Sequence, residues 1–344
     1  MTGDHTMRAV VLEAFGGPEA LRSASVDRPR PSDGEILVRV HACGVCGHDL
    51  LARRGALGTR LPQILGHEIA GEVEQSAVPG FAPGDPVVLN QRLACGNCAA
   101  CTRGEPHLCT RGGGFYGEDV AGGYAEYIIA RASNAVHLPV GVSTETAATL
   151  PCGVGTGLHA LHRAGLTAGE TVLVTGANGG VGIHAVALAR LFGASVIAVI
   201  RSVEVEDDVR SAGAEEVVVA PDGAFHRAVR AWAPDGVDVA IECVGTPTIA
   251  STLRSVRAGG RVAVVGNVDP SEADLGLGLV ILKELSVLGS SHATPAELAE
   301  AVELVSSGRL APVIARTFPL EQAAEAHAFA EHATATGRVV LRVV

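Results

Sequence analysis

No stretch of this 344-residue chain approaches the roughly 18 consecutive apolar residues that a membrane-spanning helix requires. The longest apolar strings are short, as in Val196-Ile197-Ala198-Val199-Ile200. The first residues, Met1 to His5, lack the basic-then-apolar layout of a secretory signal. Positive charge is scarce as well: 26 Lys and Arg stand against 37 Asp and Glu, a formal charge of −11. So acidic a chain repels a phosphate backbone at long range, which argues against nucleic acid as a partner. Repeats and low-complexity tracts are missing. With 47% apolar and 18% charged residues, a disordered chain is excluded. The chain reads as soluble and cytoplasmic, with no membrane partner, and its length suggests two domains or one large one.

What is present is organised in two styles. Met7 opens the first strand-like run, so the leading six residues read as an extension without structural duty. Short β-like runs follow at Arg8–Leu12, Glu35–His41, Ala70–Val73, Pro86–Asn90 and Ala125–Ile129, separated by Gly- and Pro-rich loops. This predicts an irregular β domain. After about Leu150 strands alternate with helices: Thr171–Thr175, helix Ile183–Phe192, Ser195–Ile200, helix Val205–Ala212, then Val217–Val219, Val237–Ile241, Arg261–Val265 and Ser286–Leu288. Such alternation predicts an α/β architecture with a doubly wound parallel sheet. Helical periodicity resumes near Thr294, and the chain ends in the strand-like Arg338–Val343.

Between the first of those strands and its helix lies Gly176-Ala177-Asn178-Gly179-Gly180-Val181-Gly182. A dinucleotide pyrophosphate needs backbone N–H groups at a helix N-terminus and no side chains in the way. Gly176 can make the tight turn, Gly179 or Gly180 admits the phosphates, and Gly182 lets helix and strand pack. At the end of the second strand the sequence gives Arg201-Ser202, with no carboxylate until Glu204. A carboxylate there would bind the ribose hydroxyl of NAD, whereas a guanidinium suits the 2′-phosphate of NADP. NADPH is therefore favoured over NADH.

The eight cysteines fall into two patterns. Cys95, Cys98, Cys101 and Cys109 crowd one loop and supply four thiolates, a closed tetrahedral set suited to structural zinc. A zinc ribbon for nucleic acid conflicts with the acidic balance, and an iron–sulfur cluster lacks any sign of a redox partner. Cys46, His67, Glu68 and Cys152 are scattered. Two thiolates and an imidazole leave a fourth position open for water or substrate, as catalytic zinc requires.

Taken together, Gly44-Val45-Cys46, Gly66-His67-Glu68, the four-Cys loop, Pro151-Cys152 and the Gly176–Gly182 loop resemble the medium-chain, zinc-containing alcohol dehydrogenase superfamily from Met7 to Val344. The resemblance implies a GroES-like catalytic domain over residues 1–152, carrying the zinc lobe at 95–109. A Rossmann cofactor domain over 153–292 follows, and a segment at 293–344 returns to the catalytic domain. It also implies that Cys46, His67 and Cys152 ligate catalytic zinc, with Glu68 able to enter or leave the shell and Asp49 orienting His67. Thr156, Val244, Gly266 and Asn267 fall along the cofactor. Two zinc ions per chain and a homodimer or homotetramer follow by the same resemblance.

One place departs from the pattern. Many of these enzymes carry Ser or Thr two residues after the first Cys ligand as a proton relay, and this chain has His48, with Leu51 at the later relay place. His48 could shuttle a proton or simply shape the pocket. Gly266-Asn267-Val268-Asp269-Pro270-Ser271, Ile281-Leu282-Lys283-Glu284-Leu285 and the extended glycine loop further resemble the acryloyl-CoA reductase branch, whose members reduce activated C=C bonds with NADPH. Three readings are carried forward: a zinc-dependent alcohol/carbonyl oxidoreductase, an NADPH-dependent enoyl reductase in which zinc is secondary, and a silent scaffold. The retained open ligand set speaks against the last. Cys43 reads as core, Cys243 as a small residue, and His159, His162 and His184 as packing or surface residues.

Overall fold

A computed structural model describes residues 5–269, 271–331 and 335–344. Met1–Asp4 of the leading stretch and Pro270 of the Gly266–Ser271 motif lie outside the described residues.

Two sheets carry the fold. The first has six parallel strands in the spatial order Glu216–Val219, Ser195–Ile200, Thr171–Thr175, Val237–Glu242, Val256–Val264 and Ser286–Gly289. Successive residues of its central strands pack on opposite faces. Val172, Val174, Val196 and Ala198 meet Leu158, Val186 and Leu298 on one side. Leu173, Ile197 and Val199 meet Val229 and Leu253 on the other. Helices cover both faces, which is why these strands read as unbroken apolar runs. Numbered along the chain, the strand order is 3-2-1-4-5-6. It reverses between the strands ending at Thr175 and Glu242, the switch point at which open sheets of this kind bind ligands. This is the expected doubly wound α/β sheet.

The second sheet runs Ile314–Pro319, Arg338–Arg342, Glu35–Val45, Glu68–Ser76, Pro86–Leu89 and Ala135–His137, with Tyr127–Arg131 also paired to Glu35–Val45. The two strands at one edge come from the C-terminal segment, and Arg342 lies opposite Ala42. The chain therefore leaves the first sheet to complete the second.

Several local expectations need correction. The first strand begins at Thr6, opposite Asp27, and the His5 carbonyl accepts from Arg28 N–H at 2.9 Å. Of the leading residues, His5 and Thr6 thus do take part in the ladder. The strand expected at Ala125–Ile129 sits at Tyr127–Arg131, because Ala125 is diverted into a bridge with Ala9. The helix expected at Val205–Ala212 is a 3-10 turn, Val203–Val205, leading into Glu206–Ser211. Among the described residues no helix is long and apolar enough to cross a membrane.

Candidate metal and cofactor site

The long strand Glu35–Val45 delivers Cys46 to the start of the helix Gly47–Arg53. Asp49, the third residue of that helix, accepts from Cys46 N–H at 2.8 Å and so fixes the turn. Its other oxygen accepts from Gly66 N–H at 3.2 Å and lies 3.3 Å from His67 Nδ1. One carboxylate therefore sets Cys46 and His67 together. Glu68 opens its strand directly opposite Gly44, where a Cβ would fall 2.1 Å from Glu68 Oε2. Any side chain at position 44 would displace Glu68.

Cys152 arrives from the other half of the chain on a π-helical turn, Leu150–Val154, that runs into the helix Gly155–Arg163. Its Sγ stands 3.8 Å from Cys46 Sγ, and Thr156 Oγ1 donates to it at 3.6 Å. One donor atom from each of Cys46, His67, Glu68 and Cys152 falls within 4.8 Å of all the others. Tetrahedral zinc with bonds of ~2.3 Å to sulfur has edges of roughly 3.8 Å, so this set fits zinc. Its electrostatics agree. His67 and Glu68 are almost fully buried, yet Glu68 Oε1 has no hydrogen-bond partner among the described residues and Oε2 has the Arg338 ion pair alone. Burial pushes the Glu68 carboxyl up to about 8, against the pull of Arg338. A cation among these donors would remove that penalty.

Cys95, Cys98, Cys101 and Cys109 also lie mutually within 4.8 Å, with Sγ separations of 3.5 to 3.9 Å among the bonded pairs. Burial works against ionising Cys109, but the N–H groups of Cys95 and Arg111 pull its thiol down to about 6. The lobe is closed at its neck by the pairs Arg92–Phe115 and Leu93–Gly114. No open coordination position is needed here, which suits a structural ion.

The glycine loop joins the strand Thr171–Thr175 to the helix Gly182–Leu191. Gly176 has φ +57°, and a Cβ at Gly182 would lie 2.1 Å from the Gly176 carbonyl. Gly179 makes a turn bond to Gly176, and Val181 precedes the helix Gly182–Leu191. At Gly180 a Cβ would fall 2.5 Å from the Arg338 guanidinium carbon. Val244 packs over Gly176, and Gly266 packs against the Cys243 carbonyl. Asn267 Oδ1 accepts from Thr246 N–H at 3.0 Å. Asn178 faces the returning chain instead: its carbonyl accepts from Gly337 N–H at 2.9 Å and its amide donates to the Ala335 carbonyl at 3.3 Å. Arg201 is exposed and has no ion pair among the described residues. Ser202 Oγ accepts from Glu204 N–H at 3.3 Å, closing the next turn.

Four groups escaped the sequence reading. Arg338, 5% exposed, places Nε 3.1 Å from Glu68 Oε2 and also packs on Gly180, so it touches both the Cys46, His67, Glu68 and Cys152 set and the glycine loop. A cation heading the apolar run Val339-Val340-Leu341 was its only signal. Glu242 is fully buried and accepts from Thr175 Oγ1, Val244 N–H, Gly245 N–H and Thr248 Oγ1 at 2.6 to 2.9 Å, and from Thr252 Oγ1. Phe115 packs against His48, His67 and His292, with ring centroids 4.7 to 5.1 Å apart. Glu118 reaches His48 Nε2 at 3.0 Å. The histidines expected as packing or surface residues are all bonded: His159 and His162 to Glu297, and His184 between the Gly180 carbonyl and Val313 N–H.

The alcohol dehydrogenase GroES-like domain family matches residues 32–140, and the zinc-binding dehydrogenase family matches residues 180–307. An acryloyl-coenzyme A reductase of Metallosphaera sedula is 35% identical over 339 residues, covering 97% of this chain and 99% of the relative. An NAD-dependent alcohol dehydrogenase of Saccharolobus solfataricus is 32% identical, covering 97% and 99%. Among solved structures, AibC superposes with a TM-score of 0.91 at 45% identity, covering 98% of this chain and 96% of that one. The chain thus belongs to the medium-chain, zinc-type alcohol dehydrogenase family, oxidoreductases that use zinc and a nicotinamide cofactor.

Proposed function

We propose that this chain transfers hydride between NADP(H) and an alcohol/carbonyl substrate at a site formed by Cys46, His67, Glu68 and Cys152. The observation that carries the reading is Arg338, which joins Glu68 to Gly180 and so makes the ligand set and the dinucleotide loop neighbours. Cys46, His67 and Cys152 would hold zinc, with Glu68 exchanging between the ion and Arg338. Bound there, zinc supplies Lewis-acid polarisation of a substrate oxygen. Asp49 keeps the His67 ring and the Cys46 turn in place. Gly179 leaves room for the pyrophosphate before the helix Gly182–Leu191, where Gly180 makes room for Arg338 instead, and Phe115, His48 and His292 form an aromatic wall beside the ligands.

Arg201 supports NADP(H). It stands free at the end of the second strand, where the 2′-phosphate of NADP would meet it. Arg201→Glu is expected to raise KM for NADPH about a hundredfold and for NADH less than about threefold, since only the phosphate is repelled. Equal shifts in the two cofactors sink the assignment.

The second reading, conjugate reduction of an enoyl substrate, has its own support. His48 replaces the hydroxyl relay, and its Nε2 is already engaged by Glu118. Full-length relatives named acryloyl-coenzyme A reductase point the same way. An α,β-unsaturated aldehyde offered with NADPH separates the two. An unsaturated alcohol supports hydride delivery to the carbonyl carbon, and a saturated aldehyde supports delivery to the β-carbon.

The reading includes assembly of two or four copies in a cytoplasmic setting, where eight cysteines without a disulfide among the described residues would stay reduced. The edge strand Ser286–Gly289 and the neighbouring Leu277, Ile281 and Leu282, 69 to 86% exposed, form the face we assign to a second copy. Light scattering is expected to give a dimer or tetramer mass, and Leu282→Glu to reduce it. A monomeric native chain refutes this part.

A further inference from the structure

We infer that Glu118 is a positioning residue for the substrate pocket, holding the His48 ring over the ligand set. This rests on the oxidoreductase reading above. His48 is the second residue of the helix Gly47–Arg53, where its side chain, 31% exposed, has little packing on the solvent side to choose a rotamer. Two contacts choose it. Glu118 Oε2 accepts from Nε2 at 3.0 Å, and Phe115 lies against the ring at 5.1 Å between centroids. Held in this way, the ring stands edge-on to His67 at 5.4 Å.

Glu118 is itself rigidly placed. Its carbonyl accepts from Gln63 Nε2 at 2.7 Å, and its N–H donates to the Phe115 carbonyl at 3.3 Å. Asp119 Oδ2 accepts from Phe115 N–H at 2.9 Å, and a Cβ at Gly114 would fall 2.3 Å from Asp119. The turn hangs from the neck of the four-Cys lobe through the pairs Arg92–Phe115 and Leu93–Gly114. The lobe's exit therefore carries both Phe115 and Glu118 to the ring they restrain. This gives the lobe a consequence at the reaction site, although none of its cysteines is there.

A wall residue contributes alike to substrate and transition-state binding, so its loss of register raises KM and leaves kcat nearly alone. With an α,β-unsaturated aldehyde and NADPH, Glu118→Ala is expected to raise KM for the aldehyde about tenfold with kcat within about threefold. Glu118→Gln keeps an acceptor oxygen and is expected to restore KM to within about twofold of native. Imidazole 1H–15N spectra, with His48 assigned from His48→Gln, report the same bond without turnover. The His48 Nε2 signal should move in Glu118→Ala and stay near native in Glu118→Gln. Unchanged spectra in Glu118→Ala overturn the proposal, as does a Gln variant that behaves like Ala in both readouts. A native protein inert toward the aldehyde overturns the reaction reading alone, and the spectra still decide the role of Glu118.

Discussion

Cys46→Ser is expected to lower the zinc content from two ions per chain to one and turnover by at least about a hundredfold. The substitution exchanges a soft thiolate for a weak, neutral oxygen donor in a set of only four atoms. Cys152 Sγ then loses the partner 3.8 Å away, and Glu68 is left to Arg338. The second ion is expected to survive. Cys95, Cys98, Cys101 and Cys109 sit on a separate loop, and among the described residues they share no hydrogen bond with the Cys46 set. Elemental analysis alongside NADPH-linked turnover checks both numbers. Two ions in the variant with activity intact would move the reaction away from this site. One ion in the native protein would mean that only one of the sets binds zinc, and Cys98→Ser would then tell which.

How much of this was readable beforehand followed the distance between the parts. The glycine loop is legible because strand, turn and helix are consecutive and Gly176, with its positive φ, serves the turn next to it. The four-Cys lobe is legible for the same reason, since all its donors lie within residues 95–109. Cys46 and Cys152 are 106 residues apart, and spacing alone does not bring them together. Only the family resemblance grouped them. Arg338 was beyond reach for a related cause. The final apolar run announces a strand, but nothing in it tells that Arg338–Arg342 will pair with Glu35–Val45 and aim its first side chain at Glu68. The misplaced boundary at Ala125 has a similar origin, because a bridge to Ala9 competes with the local alternation. His48 and Glu118 show the limit most plainly: the departure at position 48 was visible, but not the carboxylate that answers it.

Glu242→Ala is expected to weaken folding by about 3–5 kcal/mol and to lower dinucleotide affinity with it. This buried carboxylate closes the gap between the two central strands where the sheet order reverses. Four donors converge on Oε1: the hydroxyls of Thr175 and Thr248 and the N–H groups of Val244 and Gly245. Thr252 donates to Oε2. Alanine leaves all five without this acceptor, at about 1 kcal/mol or more each where water cannot reach them. The same bonds shape the proposed cofactor site. Thr175 immediately precedes Gly176, its hydroxyl also accepts from Cys243 N–H at 2.9 Å, and Val244 lies over the glycine turn. Loss of the carboxylate frees both walls at once. Glu242→Gln separates acceptor geometry from charge. Its amide oxygen can take the place of Oε1 before the four donors, and its NH2 can donate to the Thr252 hydroxyl, which rotates to accept. The Gln variant should therefore keep most of the stability and affinity that Ala loses. Denaturant unfolding and dinucleotide titration of the two variants check this. An alanine variant within about 1 kcal/mol of native, binding cofactor normally, would mean that the five donors find other partners and that Glu242 does not hold the proposed cofactor site.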